Sequence, residues 1–263
     1  MRRAALLLAA LSLLVGCQTP GPVRTLSPDD PRVTGVLARL RERAEARQSL
    51  RALAHFVVNA EDRKFRGSQR LALRRPRSLR VELLGLFSQT AGLLATDGIT
   101  YDYFDPRVGE VEHGRVWRRL LWQVARVDLT PAEAVSVLLG APPPGLRLIP
   151  SEAQLLADGG LRVRLDNRQG EPRERIEVDS LGRLRRFEKF GRRGFSSWDV
   201  SYADYREIGD VSFAYDVDIR FPDLGASAVF RFREVELDLP LPDELFRLDL
   251  PNRVSSARGE GDR

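Results

Sequence analysis

The stretch Val211-Ser-Phe-Ala-Tyr-Asp-Val-Asp-Ile-Arg-Phe221 decides the fold class of this chain of 263 residues. Large apolar residues stand at every odd position of the stretch, and mostly polar residues stand at the even positions. Because successive side chains of a strand point to opposite faces, this alternation predicts a β-strand with one apolar and one solvated face. Antiparallel sheets that cover a core on one side have this pattern.

The same period of two recurs along most of the chain. A change of parity between Phe232 and Val235 predicts a bulge near Arg233. Two helical segments are too few to cover so many strands with a full second layer, so we expect a mainly β, α+β fold: an unclosed antiparallel half-barrel with a helical lid over an apolar cavity. The further alternating residues are Phe56, Val58, Leu71, Leu73, Leu79, Val81, Leu83, Leu161, Val163, Leu165 and Phe230.

Two segments have helical patterns. Val36, Leu37 and Leu40 lie at helical spacing, which predicts a helix over about 34–49 with Thr34 as its N-cap. Thr130-Pro131-Ala132-Glu133 is a capping box with proline at the first helical position. Gly140 and the prolines after it end this second helix.

The beginning of the chain predicts export and a lipid anchor. Arg2 and Arg3 precede an apolar run that ends at Leu14-Val15-Gly16-Cys17, the pattern of a lipoprotein signal peptide over 1–16 with Cys17 acylated. The alternative interpretation is that the apolar run is a helix of a cytosolic core. The run is too short to span a bilayer, which needs roughly 20 residues. The residue after Cys17 is Gln18 rather than Asp, which favours anchoring of the protein at the periplasmic face of the cell outer membrane. We further expect an acylated cysteine and flexible tether over 17–33, a half-barrel domain over 34–252 and a disordered tail over 253–263.

The composition limits the choice of partners. The formal net charge is +5, and arginines cluster in three places, Arg74 to Arg80, Arg115 to Arg119 and Arg183 to Arg186. These clusters are either a solvated strand face or a surface that attracts anionic lipid. Acidic residues interleave with them, so we expect no nucleic acid. Cys17 is the single cysteine, which excludes an internal disulfide and a cysteine metal cluster. We expect no metal, no cofactor and a monomer.

Four further segments follow the lipobox and the first helix in a fixed order. The first two are Phe65-Arg-Gly-Ser-Gln-Arg-Leu-Ala-Leu-Arg and Ser78-Leu-Arg-Val-Glu-Leu-Leu-Gly-Leu-Phe-Ser-Gln. Pro131-Ala-Glu-Ala-Val-Ser-Val-Leu-Leu-Gly and Leu241-Pro-Asp-Glu-Leu-Phe-Arg-Leu follow. In this order the segments resemble the LolA/LolB lipoprotein carrier and insertase superfamily, and LolB-like outer-membrane lipoproteins most. The resemblance implies an unclosed barrel whose cavity takes acyl chains, delivered by a periplasmic LolA-like carrier. The long proline-rich tether and the many arginines depart from LolB.

The resemblance and the alternation together give the candidate site residues. In LolB proteins a loop between early strands has an exposed apolar tip that meets the membrane, and the matching residues here are Leu84, Leu86 and Phe87. The alternative is that these three are buried at the end of a strand. The acyl cavity is expected to be lined by the inward residues Phe56, Val58, Leu71, Leu73, Val81, Leu83, Phe213, Tyr215 and Phe230.

Little in the sequence favours an enzyme. The sequence has two histidines, His55 and His113. It contains no nucleophile elbow, no phosphate-binding glycine loop and no zinc-protease motif. Asp216 and Asp218 fall on the polar face of one strand, where they favour solubility rather than glycosidase chemistry. We therefore predict a non-catalytic lipid-handling protein. An envelope assembly or sensing module that binds a protein partner is the alternative, and a hydrolase is a weaker third hypothesis.

Overall fold

The computed structural model describes residues 23–143, 148–191 and 194–248. Cys17, the signal peptide and the tail from Arg253 lie outside these residues. Within them, fourteen strands form one antiparallel sheet whose two edge strands do not pair with each other. The predicted fold class, a mainly β unclosed half-barrel, is confirmed.

The sheet contains the described strands in the order β1-β8-β9-β10-β11-β12-β13-β14-β2-β3-β4-β5-β6-β7. The elements along the chain are β1 (Arg24–Leu26), α1 (Pro31–Ala46), β2 (Ser49–Ala60), β3 (Arg63–Arg74), β4 (Ser78–Leu84), β5 (Thr90–Thr96), β6 (Thr100–Asp105), β7 (Glu110–Arg115), α2 (Leu120–Ala125), α3 (Pro131–Leu138), β8 (Ile149–Leu155), β9 (Leu161–Asp166), β10 (Pro172–Val178), β11 (Leu184–Phe190), β12 (Ser196–Ile208), β13 (Val211–Phe221) and β14 (Ala226–Leu237).

The folded part begins earlier than the sequence predicted. β1 pairs with β8, and α1 begins at Pro31, so the end of the predicted tether over 17–33 belongs to the domain. The N-cap of α1 is Asp30 rather than Thr34, because the Asp30 side chain accepts a hydrogen bond from the amide of Arg32 at 2.9 Å. The pair Asp30-Pro31 is a typical helix start, which the prediction overlooked.

The alternation predicts the faces of the strands correctly. In β13, Phe213, Tyr215, Val217, Ile219 and Phe221 are buried on the inner face. The expected bulge is also present, since the register of β14 on β2 shifts between Phe232 and Glu234. Arg233 is the extra residue. The apolar residues of β14 therefore stand at even positions before it, as Phe230 and Phe232 do, and at odd positions after it, as Val235 and Leu237 do.

The second predicted helix is confirmed and an additional one is present. The Thr130 hydroxyl accepts from the Glu133 amide, and the Glu133 carboxylate accepts from the Thr130 amide at 2.8 Å, which completes the capping box of α3. The additional helix is α2, which has six residues, no side-chain cap and a non-glycine C-cap, Arg126, in the left-handed region, so no local signal in the sequence predicts it. None of the described helices is long and apolar enough to cross a membrane.

Aromatic side chains dominate the inner face of β11–β13, and aliphatic side chains dominate that of β9 and β10; we call β9–β13 the packed half. An open pocket of about 710 Å³ lies between α1 and β9–β10, lined in part by Leu37, Leu40, Leu165 and Ile176. The Phe187 ring lies 5.2 Å from that of Trp198, and both are fully buried. The Tyr202 hydroxyl donates to the carbonyl of Val137, which ties α3 to this half. α1 covers it as well, since Arg43 donates to the carbonyl of Gly182.

The packed half also contains a buried carboxyl group. Glu174 lies on the inner face of β10, in register with Lys189 of β11. Burial raises the pKa of Glu174 to about 7, although the nearby Lys189 ammonium acts in the opposite direction. Lys189 itself forms an ion pair with Glu133 of α3.

The first arginine cluster has a structural role. Arg74 donates to the carbonyl of Leu241 at 2.6 Å and stacks on the ring of Phe246 at 4.9 Å. Arg80 donates to the carbonyl of Leu245. Both therefore bind the segment over 238–248, whose Leu241 and Phe246 are buried on Ala72 at the outer face of the sheet.

Candidate functional site: an apolar cavity beneath the helical lid

A cavity of about 110 Å³ lies between the helices α2 and α3 and the inner face of β2–β6, to which Ile219 of β13 and Phe230 of β14 add. We call it the lid cavity, and we call this part of the sheet the cavity half. Nearly all of its walls are aliphatic or aromatic. The lining residues are Phe56, Val58, Arg63, Phe65, Gln69, Leu71, Leu79, Val81, Leu83, Gly92, Leu93, Leu94, Tyr103, Leu121, Val124, Ala125, Val127, Leu129, Ala134, Leu138, Ile219 and Phe230.

Six of the nine residues that the sequence assigned to the cavity do line it. Leu73 is fully buried in the core without reaching the cavity, and Phe213 and Tyr215 lie elsewhere. The Phe213 ring packs 5.4 Å from that of Phe232, and the guanidinium of Arg47 lies 5.6 Å from its centroid. The six that line the cavity are Phe56, Val58, Leu71, Val81, Leu83 and Phe230.

The lid contributes the residues that the sequence analysis missed. Leu121, Val124 and Ala125 come from α2, and Ala134 and Leu138 come from α3. Only the apolar run from Leu120 to Ala125 signals α2 in the sequence, and six residues are too few to show a helical period. The lid therefore consists of α2 and α3, whereas α1 lies over the packed half.

Ion pairs and hydrogen bonds hold the lid on the sheet. Arg126, at the C-terminus of α2, forms a forked ion pair with Asp62 in the turn between β2 and β3. This pair lowers the pKa of the Asp62 carboxyl group. Arg63, beside Asp62, donates to the carbonyl of Val124 at 3.4 Å. Surface pairs of this kind contribute little stability, so they can break without unfolding the domain.

The size of the lid cavity suits part of one acyl chain. One water molecule takes about 10–15 Å³ of a cavity volume measured in this way, so roughly seven to eleven groups of that size fit inside. A methylene group is about as large as a water molecule. A longer chain fits only if the lid moves or if part of the chain stays outside.

Three polar side chains interrupt the apolar wall. Arg63 and Tyr103 line one part of it, and burial raises the pKa of the Tyr103 hydroxyl. Gln69 lies on the inner face of β3 with 1% of its surface exposed. Its side-chain Nε2 is buried and has no hydrogen-bond partner among the described residues.

The loop Gly85–Gln89, which we call the tip loop, joins β4 to β5. Leu86 and Phe87 at its apex are 97% and 90% exposed, whereas Leu84 is half-buried at the end of β4. The interpretation that Leu86 and Phe87 are buried is therefore wrong. The loop is ordered by backbone hydrogen bonds between Gly85 and Gln89 at 2.8 Å and between Ser88 and Gly85 at 3.0 Å.

The tip loop adjoins the lid cavity. Leu83 and Gly92, which pair across β4 and β5 just before and after the loop, both line the cavity wall. The strands that form the wall thus continue directly into the exposed apolar apex. A hydrocarbon surface that met Leu86 and Phe87 would lie beside the cavity.

The two histidines do not lie in the cavity. His113 Nδ1 lies 2.6 Å from the Asp102 carboxylate, and the other carboxylate oxygen of Asp102 accepts from the amide of Leu248 at 2.7 Å. His55 pairs with Ser68 and Arg231 across neighbouring strands. In the described ranges, no three His, Cys, Asp or Glu side chains are grouped as metal ligands would be. The absence of catalysis stays a prediction.

Comparisons with known proteins identify the fold. No family model matches the sequence, and no curated protein sequence matches it significantly. A DUF1329 family protein from Desulfovibrio piger is similar in structure, with 11% identity, a TM-score of 0.54 and coverage of 81% of this chain and 95% of that one.

Two further solved structures have the same fold. A putative outer membrane lipoprotein-sorting protein domain from Vibrio parahaemolyticus has 13% identity and a TM-score of 0.51, over 81% of this chain and 94% of that one. A LolA superfamily protein from Nitrosomonas europaea has 15% identity and a TM-score of 0.51, over 81% of this chain and 98% of that one. This chain therefore has a LolA-like unclosed half-barrel fold. At such low identity the likeness shows the fold alone.

Proposed function

We propose that this protein binds an acyl chain of a lipoprotein or lipid in the lid cavity and inserts that molecule into the outer membrane. The observation that supports the proposal is the apolar cavity under a helical lid. No catalytic step and no cofactor are needed. One structural neighbour is named as a putative outer membrane lipoprotein-sorting protein domain and another as a LolA superfamily protein, and both names agree with this role.

Burial of hydrocarbon drives both binding and release. Each methylene group that leaves water contributes about 0.8 kcal/mol. A cavity that holds roughly seven to eleven groups covers only part of a long chain, whereas a bilayer covers all of it. Transfer from the cavity to the membrane is therefore favourable without an energy source.

The tip loop is the proposed membrane contact. Leu86 and Phe87 expose large apolar side chains to water, and their burial in a bilayer would contribute about 1.5–3 kcal/mol each. Acylation of Cys17 would hold the protein at the periplasmic face of the outer membrane, and a LolA-like carrier would supply the ligand. The lipobox pattern and the resemblance to LolB-like proteins support these two parts of the proposal.

A filled cavity tests the binding step. Gly92 lines the cavity, and a Cβ there would make only ordinary contacts, the nearest at 3.5 Å from Leu83 Cδ1. Gly92→Val should fill part of the cavity and weaken binding of 1-decanoyl-lysophosphatidylcholine at least tenfold in native mass spectrometry. The matched control is Ala91→Val, on the same strand but exposed on the other face. Equal binding by both variants, or no binding by the wild type, contradicts the proposal.

Vesicle binding tests the membrane contact. In the chain carrying Cys17→Ser, which has no lipid anchor, Leu86→Asp and Phe87→Asp should abolish co-sedimentation with liposomes and leave decanoyl binding unchanged, since both side chains are exposed. Leu181→Asp is the control, because Leu181 is also exposed but lies in the turn between β10 and β11. If Leu181→Asp weakens vesicle binding as strongly, the tip loop has no special role.

The second candidate function, a module that binds a protein partner, is favoured by one observation. In the described sheet β7 is an edge strand, so one side of Glu110–Arg115 has free backbone groups that an extended peptide could pair with. If this candidate function is correct, the wild type does not bind the decanoyl lipid, and an envelope protein is recovered together with it. Glu112→Pro should then abolish that recovery. Decanoyl binding that survives Glu112→Pro favours the lipid function.

A further inference from the structure

Gln69 is out of place in an apolar wall. On the inner face of the sheet its cross-strand partners are Ala54 and Leu83, and Leu71 follows two positions along β3. None of these side chains can accept or donate a hydrogen bond. An apolar residue at position 69 would fit the wall as well as its neighbours do.

The side-chain amide of Gln69 carries an energetic cost because its Nε2 has no hydrogen-bond partner among the described residues. A buried polar group without a partner costs about 1–3 kcal/mol, so native structures satisfy nearly all of them. Gln69 Nε2 is buried and has no partner among the described residues, although the side chain lines the cavity. A ligand that brings a hydrogen-bond acceptor would remove this cost when it binds.

We infer that Gln69 is a specificity-determining residue whose amide donates a hydrogen bond to the carbonyl oxygen of an acyl ester or amide. This inference rests on the proposed function. The carbonyl is the polar group that adjoins the hydrocarbon in every acylated glyceride or cysteine, and it is a strong acceptor. The last torsion of a glutamine side chain is soft, so Nε2 can turn toward the ligand at little cost. The lid cavity thus selects acyl chains over plain alkyl chains.

The geometry separates Gln69 from the other polar groups of the cavity. Arg63 lies six positions earlier on β3, about 20 Å along an extended strand, and it bonds to the lid at Val124. Arg63 therefore suits the charged headgroup of a ligand. Gln69 lies deeper, where only a neutral acceptor avoids a large desolvation cost.

The test compares two ligands that differ by one carbonyl. The probes are 1-decanoyl-lysophosphatidylcholine and 1-O-decyl-lysophosphatidylcholine, titrated by calorimetry into the full chain carrying Cys17→Ser. We expect the wild type to bind the ester about five- to tenfold more tightly, the equivalent of one net hydrogen bond. Gln69→Met, which keeps the length of the side chain without its polar atoms, should bind both probes equally. Its melting temperature should equal or exceed that of the wild type.

Each outcome bears on a different claim. If the wild type binds ester and ether equally, the role of Gln69 is overturned and the lipid-binding function stands. If neither probe binds, the proposed function fails. If Gln69→Met loses both ligands and melts at a lower temperature, Gln69 is a structural residue and the inference is wrong.

Discussion

The cavity half and the packed half of the sheet have the same alternation but different interiors. In the packed half the inward residues of β11 and β12 include Phe187, Trp198 and Tyr202, which are buried and bonded through Tyr202 to α3, while an open pocket of about 710 Å³ remains between α1 and the aliphatic face of β9 and β10. In the cavity half they are mainly aliphatic, with a glycine at position 92, and α2 spans the remaining gap. The sequence periodicity decides which face of a strand points inward. The volume of the inward side chains and the position of the covering helix decide whether that face is closely packed or borders a cavity.

Truncation of the packed half should give the largest effect. Phe187→Ala removes a fully buried ring and should lower the free energy of unfolding by about 3–5 kcal/mol. Val81→Ala in the cavity half should cost only about 1 kcal/mol, because Val81 is half-buried and already borders open space. Urea denaturation of both variants measures the difference. Similar losses would mean that the two halves are packed alike.

The buried carboxyl group of the packed half should make stability depend on pH. The folded pKa of Glu174, about 7, exceeds its ordinary value of 4.5, so the folded state binds the proton more tightly. The contribution of the protonated Glu174 to the free energy of unfolding is complete below pH 4.5 and is lost as the pH rises through 7. The total loss is about 3 kcal/mol. Glu174→Gln should remove this loss and be the more stable protein at pH 8.

Denaturation of the wild type and Glu174→Gln at several pH values between 4.5 and 8 checks this prediction. The exposed Glu207→Gln serves as the control. Parallel pH profiles of the wild type and Glu174→Gln would show that Glu174 titrates normally.

Chain length should reveal the boundary between the two halves. Affinity for lysophosphatidylcholines should rise about fourfold with each added methylene, the equivalent of about 0.8 kcal/mol. The rise should stop near ten carbons, because a cavity of about 110 Å³ holds only about that many methylene groups. Calorimetric titration of the hexanoyl to tetradecanoyl series measures this limit. A continued rise to tetradecanoyl would mean that the packed half opens for the ligand.

The smallest effect is expected at the lid. Asp62→Asn weakens the ion pair with Arg126 and should speed ligand dissociation a few-fold while the melting temperature stays unchanged. Stopped-flow release of a fluorescent decanoyl probe measures the rate. Asp204→Asn is the matched control, since Asp204 forms a similar exposed pair with Arg206 far from the lid. An equal rate for the two variants would show that the Asp62 pair does not hold the lid.

The sequence was sufficient for the sheet and for one helix of the lid. The alternation in β13, the bulge at Arg233 and the capping box at Thr130 each have a local cause, so each could be predicted. Phe213 and Tyr215 were assigned to the cavity because periodicity does not tell which half of a curved sheet a strand joins. α2 could not be predicted, since its stability comes from packing on the sheet rather than from its own six residues.

A photoreactive ligand tests the central claim most directly. A decanoyl-lysophosphatidylcholine with a diazirine on its terminal carbon would be bound, irradiated and mapped by peptide mass spectrometry. We predict crosslinks to the cavity wall, at residues such as Leu71, Val81 and Leu138. Crosslinks confined to the packed half around Phe187 and Phe213, or to the outer face of the sheet, would contradict it.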